Sequence, residues 1–274
     1  MKKKNHMLIK VAVALAGITL TVLVLFFTPL WGTAILLSFL SGMCCFELCI
    51  PTGAIREKPV VCGGVIVAVL LPWIWYFEIQ SVVLPLCALL LITGVFLYYA
   101  AKKENDRSKT IAWLFFSAIL FPAFFSMLLP ILASDGGKRL VLIPFIAAWS
   151  TDTGAQFAGR LFGKHKLAPQ ISPNKTVEGF FGGLFGGVLG MAVYLLVLRF
   201  MHREAPVVSL LAFGLVSALF ATVGDLFFSY IKREHEIKDY GALMPEHGGV
   251  MDRFDSVVFV IPLLYTNIRI FPIM

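Results

Sequence analysis

Residues Val207–Phe228 read V-V-S-L-L-A-F-G-L-V-S-A-L-F-A-T-V-G-D-L-F-F, and Ser229–Asp255 continue as S-Y-I-K-R-E-H-E-I-K-D-Y-G-A-L-M-P-E-H-G-G-V-M-D-R-F-D. The first segment has the length of a membrane crossing, since a helix needs roughly 20 apolar residues to pass the hydrocarbon layer. Nearly half of the second is ionisable, in a chain that is otherwise 59% hydrophobic. Another apolar run follows it. So dense a polar segment held at a membrane edge is the place to look for chemistry.

The same pattern recurs outward from this junction. Residues 11–46, 59–77, 79–101, 110–134, 179–198 and 205–224 hold no Asp, Glu, Lys or Arg. Only 14% of the 274 residues are charged, against about 25% in a soluble domain. The expected fold is all-α and polytopic. About nine transmembrane helices are predicted: Leu8–Phe27, Leu30–Ile50, Val60–Phe77, Val82–Ala101, Ile111–Leu132, Leu140–Gly159, Gly179–Leu198, Val207–Phe228 and Ser256–Phe271. Alternation of period two is absent, which argues against a membrane barrel. The apolar stretch after Lys2-Lys3-Lys4 is too long for a signal-peptide core and is read as the first span.

Orientation follows from Lys and Arg. With the N-terminus in the cytoplasm, 18 of the 23 fall on the inside, leaving Lys138, Arg139, Arg199, Arg203 and Arg269 outside. The net charge of +7 then sits mainly on the cytoplasmic face, where it attracts anionic headgroups and nucleotides. A single membrane domain is expected over 1–274. Residues 1–135 supply N-terminal helices, and 136–274 supply helices and cytoplasmic loops that carry the active site.

The five cysteines, Cys44, Cys45, Cys49, Cys62 and Cys87, lie in or beside apolar spans and read as packing residues. Glycines 179, 182, 183, 186, 187 and 190 recur at helical spacing. They fit close helix packing, with a supporting role in a homodimer, better than a nucleotide loop, which needs a preceding strand.

Asp152 and Asp225 sit inside apolar spans, where an acid costs about 2.5–3.5 kcal/mol on insertion scales. Glu47 is a third such acid. It lies near the end of its span, where snorkelling to water is the simpler reading. A continued helix would put Asp225, Ser229, Lys232 and Glu236 on one face. Asp252, Asp255 and Ser256 would open the last helix, Ser256 as a cap. Ser172-Pro173 signals a turn, Thr176 a helix cap with Glu178 in the first turn, and Lys175 a phosphate contact beside it. Carboxylates among Lys and Arg suit Mg²⁺-assisted phosphoryl or nucleotidyl transfer. His247 is a site candidate, whereas His235 reads as a surface residue.

These residues carry a resemblance. Ser229, Lys232-Arg233, Lys238-Asp239, His247-Gly248-Gly249 and Asp252-Arg253-x-Asp255 are similar to the signature of the CDP-diacylglycerol synthases, or phosphatidate cytidylyltransferases. Asp152 to Gly163 and the S-P-x-K-T-x-E-G loop also resemble that family. Asn174 stands where a second Lys is usual, Gln156 where Tyr is common, and Met244, Tyr240 and Glu246 are further departures. The resemblance implies that CTP and phosphatidic acid give CDP-diacylglycerol and pyrophosphate, at a multi-pass protein of the cytoplasmic membrane with its site facing the cytoplasm. It implies Mg²⁺, with room for a second cation, on Asp225, Asp252, Asp255 and Asp152. Lys232, Arg233, Lys238, Asp239 and His247 would join the catalytic set, and Ser172, Lys175, Glu178, Ser229 and Arg253 would bind substrate. Membrane lipids are expected partners and nucleic acid is not. The alternatives are a CTP-dependent transferase for a polyprenyl or ether lipid, a cation-coupled transporter using Asp152 and Asp225, and an inactive regulatory paralogue.

Overall fold

The computed structural model describes residues 23–80, 83, 89, 91, 93, 95, 108–241 and 248–270. Most of the predicted spans Leu8–Phe27 and Val82–Ala101 lies outside these residues, as do His247, Met244, Glu246 and Cys87. Five helices among the described residues are long and apolar enough to cross a membrane: Leu30–Cys49, Lys58–Tyr76, Lys109–Ala133, Val177–Phe200 and Val207–Glu234. The helical membrane class expected from the uncharged runs therefore holds. The chain forms two compact units, Met1–Pro130 with His235–Arg253, and Ile131–Glu234 with Phe254–Met274.

The first unit is built on α1 (Leu30–Cys49) and α2 (Lys58–Tyr76). A broken helix packs with them: α3 (Ser108–Phe115), a π-helical turn (Phe116–Leu120) and α4 (Phe121–Ser126). Pro122 explains the break. It has no N–H to offer Ala118, and the widened turn just before it makes room for its ring. Cys45, Cys49, Val61, Ala68, Leu114 and Ala118 form the buried centre, so these two cysteines do pack as small apolar groups. The Trp113 indole N–H donates to the Leu48 carbonyl at 2.7 Å. His235 packs edge-on against Trp113, with ring centroids 5.0 Å apart.

In the second unit come α5 (Leu128–Ala133), which begins in the first, then α6 (Gly137–Leu140) and α7 (Ile143–Phe162). A departure from the all-α expectation follows: β1 (Lys166–Ala168) and β2 (Ser172–Thr176) form an antiparallel ribbon, with Lys166 opposite Thr176. The turn falls at residues 169–171, closed by Ile171 N–H to Ala168 O at 3.2 Å, so Ser172-Pro173 opens a strand and is not itself the turn. The chain continues into α8 (Val177–Phe200), α9 (Val207–Glu234) and α11 (Val257–Ile270). The short turn α10 (Met251–Phe254) belongs mainly to the first unit. The single last helix expected from Asp252 onward is thus two pieces.

Small residues bring α7 and α8 together. A Cβ on Gly182 would stand 2.1 Å from Ala158 Cβ, and one on Gly186 would stand 2.4 Å from the Ser150 carbonyl oxygen. A Cβ on Gly187 would meet both α9, 2.8 Å from Gly214 O, and α7, 2.9 Å from Thr151 Oγ1. The glycine face expected to serve a dimer is therefore occupied inside the chain, while Phe181, Phe185 and Leu189 lie exposed. The helix α7 covers the predicted segment Leu140–Gly159 from Ile143 onward but is not among the five membrane-length apolar helices. From its midpoint on it carries Asp152, Thr153, Gln156 and Arg160.

Close backbone contact leaves no room for a side chain. Gly182→Val is expected to lower the melting temperature in detergent by several degrees, since overpacking typically costs about 1–3 kcal/mol. Gly63→Ala, whose Cβ would meet nothing within 4 Å, is the control, and its melting temperature should not fall. Equal melting temperatures for Gly182→Val and wild type would contradict the packing.

Candidate active site

The second unit gathers polar groups where the start of α8, the ribbon, the second half of α7 and the later half of α9 meet. Thr176 caps α8 as expected, its hydroxyl accepting from Gly179 N–H at 3.0 Å. That cap fixes the ribbon's exit and aims Lys175 at α9, where its ammonium lies 2.5 Å from Asp225 Oδ2. One turn on, Ser229 Oγ donates to Asp225 Oδ1 at 3.2 Å. Ser256, the residue just before α11 as a cap would be, donates its hydroxyl to Asp152 Oδ2 at 3.0 Å. A cavity of about 540 Å³ opens here, lined by Asp152, Gln156, Arg160, Asn174, Lys175 and Asp225 among others. Two of the departures noted in the sequence, Gln156 and Asn174, are therefore on its wall.

Asp255 lies in the turn before α11, and its Oδ1 accepts from Ser256 N–H at 2.8 Å. The residue is half-buried. Loss of water around its carboxyl, then the negative charges of Asp225 and Asp152, push it up to about 8, against Lys232 and the Ser256 N–H. Helix α9 runs through Ser229 and Lys232 and ends at Glu234, with Glu236 beyond it at φ 56°. The predicted shared face therefore loses its last member. At about 1.5 Å per residue, the 28 residues of α9 measure about 42 Å, longer than a hydrocarbon core of about 30 Å. A helix that overshoots can carry its later half, with Asp225, to the membrane edge.

Three predicted substrate-binding or catalytic residues act on the scaffold. Glu178 accepts from Lys164 N–H at 3.0 Å and His165 N–H at 3.2 Å, and lies 2.6 Å from His165 Nδ1. It holds the entry to the ribbon. Ser172 sits in β2 opposite Ala168. Arg233 Nε donates to Ile171 O at 3.2 Å, tying the ribbon turn to the end of α9.

In the first unit Asp252 is held by the backbone. Its Oδ2 accepts from Tyr240 N–H at 2.8 Å and Gly249 N–H at 2.9 Å. Gly248 has φ 79° and packs on Asp252 and Asp239. Lys238, Asp239 and Arg253 are exposed. The residue that sequence reasoning undervalued is Glu47. It is 2% exposed, and it accepts from Val250 N–H at 2.9 Å and Met251 N–H at 2.8 Å. The available signal was that Leu48, Cys49 and Ile50 continue the apolar run past it.

Among the described residues no three His, Cys, Asp or Glu side chains enclose a metal position. Mg²⁺ does not ask for one: it binds one or two carboxylates and completes its shell with water and substrate phosphate. Asp225, Asp152 and Asp255 offer hard oxygen donors, the kind that suits a hard cation.

Fold and site together define a helical membrane protein with an acid- and ammonium-lined cavity at its helix ends. Residues 8–271 match the model of the cytidylyltransferase family, and the chain belongs to that family. Its curated relatives include three named phosphatidate cytidylyltransferase. The one from Staphylococcus epidermidis is 48% identical over 128 residues, 47% of this chain and 48% of the relative. That of Staphylococcus saprophyticus is 40% identical over 181 residues, 66% and 68% of the two chains. That of Staphylococcus aureus is 37% identical over 193 residues, 70% of each. The match to the first spans about half the relative's length.

A raised carboxyl in the folded state keeps its proton while the unfolded chain, near pKa 3.9, has lost it. The folded state then binds more protons, so stability falls as pH rises from about 4 to about 8. In metal-free protein, Asp255→Asn should melt higher than wild type at pH 8, and the difference should shrink toward pH 4. A mutant less stable than wild type at pH 8 would contradict this electrostatic picture.

Proposed function

We propose that the chain is a phosphatidate cytidylyltransferase, converting CTP and phosphatidic acid to CDP-diacylglycerol and pyrophosphate. The observation that carries the reading is the Lys175–Asp225 pair at the cavity that Asp152 also lines, in a chain of the cytidylyltransferase family. An apolar bundle with a polar cavity at its helix ends suits one substrate that stays in the bilayer and one that comes from water.

A phosphate oxygen of the lipid attacks the α-phosphorus of CTP. A P–O bond forms there, and the bond from that phosphorus to the α–β bridging oxygen breaks, releasing pyrophosphate. The attacking phosphate is already anionic near neutral pH, so no strong general base is needed. Positioning and charge neutralisation carry the catalysis. Bound Mg²⁺ would neutralise phosphate charge; Asp225, with Asp255 and Asp152 as neighbours in the second unit, would be its ligands there, and Asp252 is the candidate ligand of the first unit. Ser229 and Ser256 orient Asp225 and Asp152. Lys175 exchanges its carboxylate partner for a phosphate oxygen, and Lys232 and Lys238 add positive charge for the triphosphate or the headgroup. Asp239 would steady the loop that bears Asp252, and His247 is kept in the proposed catalytic set. Nine spans, a cytoplasmic N-terminus and a site open to the cytoplasm complete the reading, supported by the bias of 18 of 23 Lys and Arg to one side.

Purified protein in detergent, given CTP, phosphatidic acid and Mg²⁺, should release pyrophosphate and form CDP-diacylglycerol. Asp225→Asn and Asp252→Asn should each lower kcat by at least ~10²-fold, the scale of losing one preorganised electrostatic contact, with melting temperature kept. Lys175→Met should mainly raise KM for CTP. Folded wild-type protein that turns over a polyprenyl or ether lipid phosphate but not phosphatidic acid would replace the lipid in this reading.

A further inference from the structure

We propose that Glu47 is a positioning residue: a buried carboxylate on α1 that fixes the backbone of the Gly248–Asp252 loop and so sets the orientation of Asp252. The inference rests on the role given to Asp252 above.

A carboxylate at 2% exposure in an apolar helix loses several kcal/mol of hydration. Such a group is kept only where hydrogen bonds replace the lost water. The replacements here come from the far end of the sequence, the N–H groups of Val250 and Met251 at 2.9 and 2.8 Å. Each carboxylate oxygen takes one of them. These are the N–H groups at the opening of the turn that carries Asp252, so their direction sets where that turn points.

Two glycines support the same conclusion independently. A Cβ on Gly249 would stand 2.5 Å from both Glu47 oxygens, and one on Gly241 would stand 2.7 Å from Oε1. Neither glycine has positive φ, whereas Gly248 does. Backbone conformation therefore accounts for Gly248, and the carboxylate accounts for Gly241 and Gly249. Gly249 joins the two acids: its Cα abuts Glu47 while its N–H donates to Asp252 Oδ2 at 2.9 Å. The loop is folded around two carboxylates, one at the helix and one of its own. Glu47 touches no reacting atom in this scheme.

The test compares wild type with Glu47→Gln, which keeps size and packing but turns an NH₂ toward one of the two N–H donors. In metal-free, substrate-free protein, hydrogen exchange in peptides covering 248–254 should accelerate at least ~10-fold, the loss expected from about 1.4 kcal/mol of local protection. Melting temperature should change little. With CTP, phosphatidic acid and Mg²⁺, kcat should fall ~10-fold or more while KM for phosphatidic acid stays the same. Gly249→Ala should reproduce both effects, and the double variant should be no worse than the worse single one, as for residues acting as a unit. Unchanged exchange in Glu47→Gln would overturn the anchor. Faster exchange with unchanged kcat would overturn the positioning role. If Glu47→Gln does not fold, Gly249→Ala carries the same two measurements. The exchange result stands even if the wild-type protein proves to use another substrate, which separates this proposal from the functional one.

Discussion

A carboxylate set among apolar helices needs a partner, and the partners chosen here organise the molecule. Asp225 takes an ammonium from the ribbon and a hydroxyl from its own helix. Asp152 takes a hydroxyl from the turn before the last helix. Glu47 takes two backbone N–H groups from a loop 203 and 204 residues away. In each case the acid gathers a remote segment to itself. Within each unit a polar segment of the chain is thereby fixed to a helix.

Helix packing serves the same end. Because α7 and α8 meet through Gly154, Gly182 and Gly186, their backbones lie close and the ribbon between them is held short. Thr176 and Glu178 then fix its two strands to the start of α8, and Lys175 follows from that geometry. A bulkier α8 would separate the helix ends and take Lys175 away from Asp225. The glycines are thus part of how the cavity is made, though none of them lines the chemistry except Gly159 and Gly179 at its wall.

Much of this was legible in the sequence, and the reasons are physical. Uncharged runs report membrane helices because charge is costly in hydrocarbon, and five such helices stand among the described residues. Small residues at helical spacing report close packing, and Thr176 reports a cap. Asp225, Ser229 and Lys232 share a helix face because α9 does continue. What the sequence hid depends on contacts across the chain. Ser256 stands where a cap would, and its hydroxyl also serves Asp152. Glu178 and Arg233 also hold the ribbon, a role their spacing did not announce. Glu47 looked able to reach water, yet it is enclosed, because the Gly249 loop folds over it. Local spacing says nothing of a partner two hundred residues away.

The step proposed for this chain is transfer of a cytidylyl group to a lipid phosphate. The most direct measurement follows which phosphate of CTP reaches the lipid. CTP labelled with ³²P at the α position, and separately at the γ position, would be incubated with the purified protein, phosphatidic acid and Mg²⁺, and the lipid extracted. Cytidylyl transfer should put label in the lipid from the α position and none from the γ position. Label from the γ position, which would mark a lipid kinase, would contradict it, as would no lipid label from either in folded protein.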